Sequence, residues 1–539
     1  MVRSSYQLLN TVGLGKELSA KLLKPAKDYL TLIRNDIAFM RYHFSDVYRH
    51  EQDDREDDWS MRDNTAQRAR VLFKLMKVNN RFADTELYID FRDDMVKNQK
   101  DNMRAGHILL RGTNATLFGN GPELLKHIAG EEMVSGLKPG QIRCGKFPDG
   151  KKLLCARSPH ITMGNLYSVE NSLYGDIWDY FDLGENIVCV NAIGENIQQR
   201  LNGCDYDSDS MLITDDEMLI ERVKVNEDKF KVPFCAIKSS RKESSSLALL
   251  DHNTSANKIG DFVNLSQKLN SIIWDKLSRG EEDIEDIYCD VCKLAVLSGI
   301  EIDKAKRAYD SINAGSELAR ISQKYGGYDR PGFFEPIDEK NGTRYSSREG
   351  DSREVRDYFN YNTTMQYIYD DASTIDFRQG KPKSVEPPLI SDILKIHGYE
   401  NAADCAARDK IVAISDDYRV KVRRERSKLP KADPDESDAI YENIANLEKE
   451  QEQEVLKLLT NTNILALLIE DNERKWRQAK SRSKKRSIAA DWQLYGPLLD
   501  CDMFLTMLQE GKEKLAKIEE VDCDGEYNLY SFSFNKTFD

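Results

Sequence analysis

The sequence predicts an α+β fold in which one small β-barrel is embedded in mostly helical domains. Between residues 106 and 235, short β-prone runs such as GHILLRG, KKLLCARS and ENIVCVNA are separated by Gly, Pro, Asn and Asp. On both sides of this stretch, apolar residues recur at helical spacing, as in IGDFVNLSQKLNSIIWDKL. One β-rich stretch between long helical stretches favours α+β over an all-α or an all-β fold.

A chain of 539 residues has room for about three or four domains. Changes of pattern along the chain predict five regions. They are a helical N-terminal region (1–105), a β-barrel (106–235), a helical region (236–330), an extended connection rich in Gly, Pro, Tyr and Asp (331–390) and a charged helical C-terminal region (391–539). In the last region, residues 474–486 are strongly basic, and their role stays open.

Composition limits the class of protein. Hydrophobic residues make up 40% and charged residues 32%, and the net charge of −14 excludes a wholly basic nucleic-acid coat but not a local basic channel. No apolar run reaches the roughly 18 residues of a membrane span. The ten cysteines are scattered and the N-terminus does not read as a secretory signal, so we expect a cytoplasmic location.

The strongest candidate for chemistry is the stretch NGCDYDSDSMLITDD. Asp205, Asp207 and Asp209 stand at alternate positions, and three carboxylates brought close together need a cation, for which hard oxygen ligands favour Mg²⁺ or Ca²⁺. Three interpretations stay open: an acidic surface turn, a calcium loop of EF-hand type with Asp216 in twelfth position, and a Mg²⁺ site for phosphoryl or nucleotidyl transfer. Ser210 stands where an EF-hand needs Gly, and the β-prone flanks favour an enzyme core.

The segment GCDYDSDSMLIT resembles the Asp-x-Asp-Gly-Asp loop of the two-barrel RNA polymerases, which include multisubunit DNA-directed enzymes and cellular RNA-dependent RNA polymerases. Upstream, ARSPHITMGN is similar to the Arg-Ser-Pro segment that precedes this loop in the RNA-dependent branch, and SYQLLNTVGL is similar to the helix between the two barrels. Ser208 replaces the loop Gly, Thr162 replaces a His, and Asn165 replaces an Asp.

The resemblance implies a double-psi β-barrel and a template-directed RNA polymerase that is most like an RNA-dependent enzyme. It implies that Asp205, Asp207 and Asp209 are catalytic and bind Mg²⁺, and that Arg157 lies near the incoming nucleoside triphosphate. Template and RNA product would be the nucleic-acid partners. Since about 105 helical residues precede the barrel, the chain resembles the C-terminal half of such an enzyme. Three alternatives stay open: a split subunit whose partner chain supplies the first barrel with its lysines, a truncated gene product, and a diverged relative.

Two basic residues after the barrel are further candidates for substrate binding. Lys238 and Arg241 lie in CAIKSSRKESSS and could contact template or product phosphates, although a solvated loop is an equally good explanation. Asn264, Ser266 and Gln267 are predicted on the following helix, where such a polymerase lines its cleft. The alternatives to an RNA-dependent polymerase are a DNA-directed phage-type subunit and a non-catalytic nucleic-acid-binding relative that kept the barrel.

Overall fold

The computed structural model describes residues 2–44, 64–173, 175, 177, 181–241, 258–304, 307–309, 311–340, 358–376, 387–394, 396–429, 434–480, 497–498 and 501–510. The chain divides into two compact units. We call Met1–Lys27 with Lys100–Ile375 the barrel unit, and Asp28–Gln99 with Asp376–Asp539 the helical unit.

The strands among the described residues are short, and they lie in the barrel unit. In chain order they are β1 (Val2–Arg3), β2 (Leu109–Leu110), β3 (Gly112–Phe118), β4 (Gln141–Cys144), β5 (Lys152–Ala156), β6 (Leu166–Asn171), β7 (Ile187–Val190), β8 (Ser210–Thr214), β9 (Ser240–Arg241), β10 (Arg307–Ala308), β11 (Arg330–Pro331) and β12 (Tyr358–Phe359).

Helices make up most of the rest of the described chain. In order they are α1 (Tyr6–Val12), α2 (Lys16–Asn35), α3 (Ile37–His43), α4 (Asn64–Val78), α5 (Glu86–Arg104), α6 (Gly121–Ala129), α7 (Ile197–Arg200), α8 (Glu217–Lys229), α9 (Ile259–Ser278), α10 (Glu285–Asp303), α11 (Ala314–Lys324), α12 (Glu335–Lys340), α13 (Thr364–Ser373), α14 (Ile390–Leu394), α15 (Ala402–Arg426), α16 (Pro434–Leu458), α17 (Thr462–Gln478) and α18 (Asp502–Glu510). Short 3₁₀ turns lie at Asn80–Asp84, Met163–Asn165 and Gly332–Phe334.

Six strands close into a barrel in the order β3-β7-β4-β6-β5-β8. The pairs β3–β7 and β4–β6 are parallel, and the remaining neighbours are antiparallel, including β3–β8, which closes the ring. Gly112 lies opposite Thr214 in this last pair, and a Cβ at Gly112 would come within 2.1 Å of the Ile213 carbonyl oxygen. Glycine therefore permits the close approach that closes the barrel.

The barrel interior is filled by aliphatic and small sulfur-containing side chains from alternate strand positions. Its buried core contains Ala115, Leu117, Ile142, Cys144, Leu153, Cys155, Val169, Val188, Val190, Met211 and Ile213. This alternation is what a barrel of short strands needs, since every second residue points inward. Helix α8 packs on the outside against β5 and β6, and Asp216 caps it by accepting a hydrogen bond from the Leu219 amide.

A second core of the barrel unit lies between helices α9, α10 and α11. It includes Phe262, Ile273, Val291 and Leu294 from the helices, and Ile161 from the loop that follows β5. Helix α1 packs against α9, α8 and α13. It begins at the cap residue Ser5, whose side chain accepts a hydrogen bond from the Leu8 amide.

The helical unit consists of long helices that pack against one another. Helices α15 and α16 pack along their length around Tyr418, Val422, Ile440 and Ile444, and α17 packs against α15, α14 and α18. Arg474 and Lys475, at the start of the predicted basic segment, both pair with Asp471 on α17. Residues 481–486 of that segment lie outside the described residues.

The α+β prediction with a closed barrel is confirmed. The division into five regions stays a prediction; within 331–390, predicted as an extended connection, the described residues include helices α12 and α13. No helix in the described ranges is both long and apolar enough to span a membrane. The cysteines among these residues are free thiols, and the cytoplasmic location stays a prediction.

Candidate metal centre

The aspartate loop (residues 203–209) joins α7 to the barrel strand β8. Asp205, Asp207 and Asp209 each offer a carboxylate oxygen, and these oxygens lie within 4.8 Å of one another. Among the described residues this is the one group of three or more acidic, histidine or cysteine side chains so arranged. Asp205 and Asp207 are exposed, whereas Asp209 is half-buried, so the cluster opens to solvent on one side.

Asp209 anchors the loop to the barrel. Its carbonyl oxygen accepts the Leu117 amide of β3 at 2.8 Å, which extends the β3–β8 pairing by one hydrogen bond. Its carboxylate accepts the Asp205 amide at 2.9 Å. The barrel therefore fixes the backbone of Asp209, and the Asp209 carboxylate holds the backbone of Asp205.

Arg157 binds the aspartate loop directly. Its Nη2 lies 2.8 Å from Oδ1 and 2.7 Å from Oδ2 of Asp209, and its Nη1 donates to the Asn202 carbonyl at 3.0 Å. The Arg157 side chain is only 12% exposed. The Asn202 amide group donates back to the Pro159 carbonyl at 2.9 Å, so the Arg-Ser-Pro segment and the aspartate loop form one hydrogen-bonded assembly.

A buried polar network supports the Arg-Ser-Pro segment from behind. The Gln267 side chain on α9 is fully buried and donates to the His160 carbonyl at 2.6 Å, while its Oε1 accepts the Asn10 amide of α1 at 3.0 Å. The His160 amide donates to Gln7 Oε1 at 3.1 Å. The segment is therefore held by α1 and α9, and the hydrogen bonds of Gln267 within this network are buried.

Burial also acts on the His160 ring. Desolvation, and then the nearby positive charge of Arg157, lower the pKa of His160 from 6.5 to about 4. Its Nδ1 is buried without a hydrogen-bond partner, and its Nε2 lies 3.4 Å from the Ser158 hydroxyl. The imidazole is thus neutral near pH 7, where it adds no charge beside Arg157.

Ser208 occupies the position of the glycine in the resembling loop. It adopts φ 109°, a backbone conformation that favours glycine. The loop therefore keeps a glycine-like turn with a serine in it, and this residue carries backbone strain.

The other two predicted substrate-binding residues are not part of this assembly. Lys238 is exposed just before β9, and Arg241 ends β9. Strand β9 pairs with β10 in a separate two-stranded sheet and not with the barrel. Their contact with template or product phosphates stays a prediction.

The residues fit a hard divalent cation. Three carboxylates converge, and Arg157 pairs with Asp209 among them. Carboxylate oxygens of this number are the ligands that Mg²⁺ prefers, and an Asp triad of this kind could hold a metal ion. An EF-hand does not fit, because Ser210–Thr214 is a strand and Asp216 caps a helix.

Sequence reasoning missed the residues that hold the assembly together. Asn202, Gln7 and Asn10 were not singled out, and Gln267 was considered only as a cleft-lining residue. A signal was present, since Asn264, Gln267, Asn270 and Ser271 recur at helical spacing within an otherwise apolar helix. Polar residues on the buried face of a helix indicate a hydrogen-bonded partner in the interior.

No protein-family model and no curated protein sequence matches this chain. A solved structure, the RNA dependent RNA polymerase QDE-1 from Thielavia terrestris, is similar to it with a TM-score of 0.40 and 12% sequence identity. The match covers 94% of this chain and 54% of that one, so the chain spans about half the length of the polymerase chain.

Proposed function

We propose that this chain is the metal-binding core of a template-directed RNA polymerase, a nucleotidyltransferase that extends RNA 3′-ends on an RNA template. The observation that carries the proposal is the convergence of three carboxylates within 4.8 Å at the end of a barrel strand, beside a hydrogen-bonded arginine. An acidic surface turn would not need a nearly buried arginine to fix its third carboxylate.

Asp205, Asp207 and Asp209 would hold the Mg²⁺. When bound, Mg²⁺ lowers the pKa of the RNA 3′-hydroxyl and stabilises negative charge at the α-phosphate. Arg157 keeps the Asp209 carboxylate oriented, because the guanidinium is itself fixed by the Asn202 carbonyl. The two exposed aspartates leave the open side of the cluster free for a substrate.

Arg157 would also present positive charge to the triphosphate of the incoming nucleotide. Its guanidinium lies at the cluster, and a guanidinium can bind phosphate oxygens through the donors that Asp209 and Asn202 leave free. Lys238 and Arg241 are proposed to contact nucleic-acid phosphates farther along the path. Such contacts would weaken as salt concentration rises.

A partner chain is part of the proposal. One six-stranded barrel is found among the described residues, and the resembling enzymes use a second barrel for lysines that bind the nucleotide phosphates. We therefore propose that the complete enzyme uses a further barrel, which a partner chain can supply. Incorporation by the chain alone would remove the need for such a partner.

The test is nucleotide incorporation with Mg²⁺ on RNA and on DNA templates, comparing the wild type with Asp207→Ala. The matched control is Asp417→Ala, which removes an exposed carboxylate of α15 that pairs with Lys421. We expect the first variant to lose incorporation and the second to retain it. Equal incorporation by the wild type and Asp207→Ala would exclude catalysis at this loop.

A second readout separates metal binding from catalysis. Tyr206 lies between two of the aspartates and is 41% exposed, so its ring can sensitise the luminescence of Tb³⁺ bound in the loop. Tb³⁺ is a hard cation that takes oxygen ligands, as Ca²⁺ and Mg²⁺ do. Sensitised luminescence that Asp207→Ala abolishes, without incorporation on any template, would mean that the loop binds metal in a non-catalytic relative or in an enzyme that needs its partner chain. A preference for DNA would favour the DNA-directed alternative.

A further inference from the structure

A cavity of about 230 Å³ lies in the barrel unit, and no residue of the aspartate loop lines it. We call it the Arg222 cavity; its apolar wall is formed by Leu14, Leu18 and Leu277, and its polar wall by Arg222, Asn362 and Tyr367. Arg222 of α8, and Trp274 and Leu277 of α9, also line a second cavity of about 280 Å³, so the two spaces adjoin. Neither cavity has a role in the proposed polymerase chemistry.

Arg222 has no hydrogen-bond or ion-pair partner among the described residues. Its guanidinium lies over the Trp274 ring, 5.1 Å from the centroid, and its Nε is buried without an acceptor. Burial lowers the pKa of Arg222, and no neighbouring charge counters this effect. The Trp274 Nε1 is likewise buried without an acceptor, so two adjacent side chains present unused donors.

This arrangement differs from that of the other stacked arginines in the described chain. Each of those also has a carboxylate partner: Arg68 has Asp94, Arg104 has Glu335, Arg200 has Glu227, and Arg330 has Asp338. A partly buried cation without a counter-charge is costly, and unmade hydrogen bonds add to that cost. Arg222 is therefore the stacked arginine that lacks an anion.

The rest of the cavity offers no anion to Arg222. The donors of Asn362 are used by Asp275, whose carboxylate also pairs with Arg279. The Tyr367 hydroxyl donates to Asn362. Arg222 is thus the one charged side chain that lines the Arg222 cavity.

We propose that the Arg222 cavity binds a small organic anion, a carboxylate or a phosphate monoester with an apolar body. Its charged end binds the terminal Nη donors of Arg222, and its body contacts Leu14, Leu18 and Leu277. The volume suits a ligand smaller than a drug-sized molecule, for which pockets of roughly 300–1,000 Å³ are usual. The proposal is independent of the proposed polymerase activity.

The test is isothermal titration calorimetry of the full chain with phenyl phosphate, with benzoate and with neutral benzamide. The variant is Arg222→Met, which keeps the aliphatic contact with Trp274 but removes the charge. The matched control is Arg200→Met, which alters an arginine that is also stacked on an aromatic ring but has Glu227 as its partner.

We expect one or both anions to bind the wild type and Arg200→Met, and benzamide not to bind. Arg222→Met should weaken anion binding by about tenfold or more, as for the loss of a hydrogen bond to a charged group. The difference between phenyl phosphate and benzoate identifies which anion the cavity prefers.

A thermal melt of Arg222→Met distinguishes binding from a structural role. Because the wild-type cation lacks a counter-charge, the variant should unfold at the same or a higher temperature than the wild type. Failure of both anions to bind the wild type in the millimolar range, equal binding to Arg222→Met, or equal binding of benzamide would each overturn the proposal.

Discussion

Replacing Gln267 by Leu tests whether α1 and α9 fix the Arg-Ser-Pro segment. The substitution keeps the side-chain volume close to that of Gln but removes the donor to the His160 carbonyl and the acceptor for Asn10. Leaving the buried carbonyl without a partner costs about 1–3 kcal/mol, and losing the second hydrogen bond costs about 1 kcal/mol. We expect local opening to become about 2–4 kcal/mol easier.

Hydrogen–deuterium exchange measured on peptides is the suitable assay, because a chain with two units does not unfold in one step. A change of about 2–4 kcal/mol makes the amides of residues 157–165 exchange roughly 30- to 1,000-fold faster, given tenfold per 1.4 kcal/mol. The barrel strand β5, which precedes this segment, should change far less.

The matched control is Gln323→Leu, an exposed glutamine on α11 in the same unit, for which a change within about 0.5 kcal/mol is expected. Two results would refute the reasoning. One is unchanged exchange of residues 157–165 in Gln267→Leu, and the other is an equal increase throughout the barrel unit.

Three further predictions concern the same assembly. Because the folded-state pKa of His160 lies at about 4, below its usual 6.5, the unfolded chain binds the proton more readily. The free energy of unfolding should therefore fall by on the order of 1 kcal/mol per pH unit as the pH is lowered from 6.5 towards 4. Hydrogen exchange rates of His160→Gln should lack this pH dependence. Since Ser208 has φ 109°, Ser208→Val should destabilise the aspartate loop by about 1–3 kcal/mol, while Ser208→Gly is tolerated. Amides of residues 203–210 should therefore exchange faster in Ser208→Val than in Ser208→Gly, and the opposite order would contradict this prediction. Tyr206→Phe should reduce sensitised Tb³⁺ luminescence while calorimetry shows unchanged Tb³⁺ affinity; loss of affinity would mean that the hydroxyl itself is a ligand.

The sequence was sufficient to predict the barrel and the convergence of the aspartates. Short β-prone runs broken by turn residues mark the strands, and an alternating triplet of carboxylates at the start of one run is a local feature. Ser210, at the position where an EF-hand needs Gly, argued against a calcium loop, and the structure places this residue in a strand. These inferences succeeded because each depends on residues that are close along the chain.

The residues that support the site could not be predicted from the sequence. Gln267 meets His160 across 107 positions and Asn10 across 257, and nothing local in α9 indicates which carbonyl its amide binds. Arg157 was predicted from resemblance as a nucleotide-binding residue, and its ion pair with Asp209 depends on how β5 and β8 pair in the barrel. Long-range pairing of this kind follows from topology, which single-sequence patterns do not encode.

The closure of the barrel by its first and last strands has a consequence for synthesis on the ribosome. Strand β3 pairs with β7 and β8, which are the last two barrel strands to be translated. Until residue 190 has left the exit tunnel, β3 therefore presents two unpaired edges, and one edge stays unpaired until residue 214 has emerged. A nascent chain paused between residues 118 and 187 should be a strong client for chaperones that bind extended apolar segments, and release should coincide with the emergence of β8.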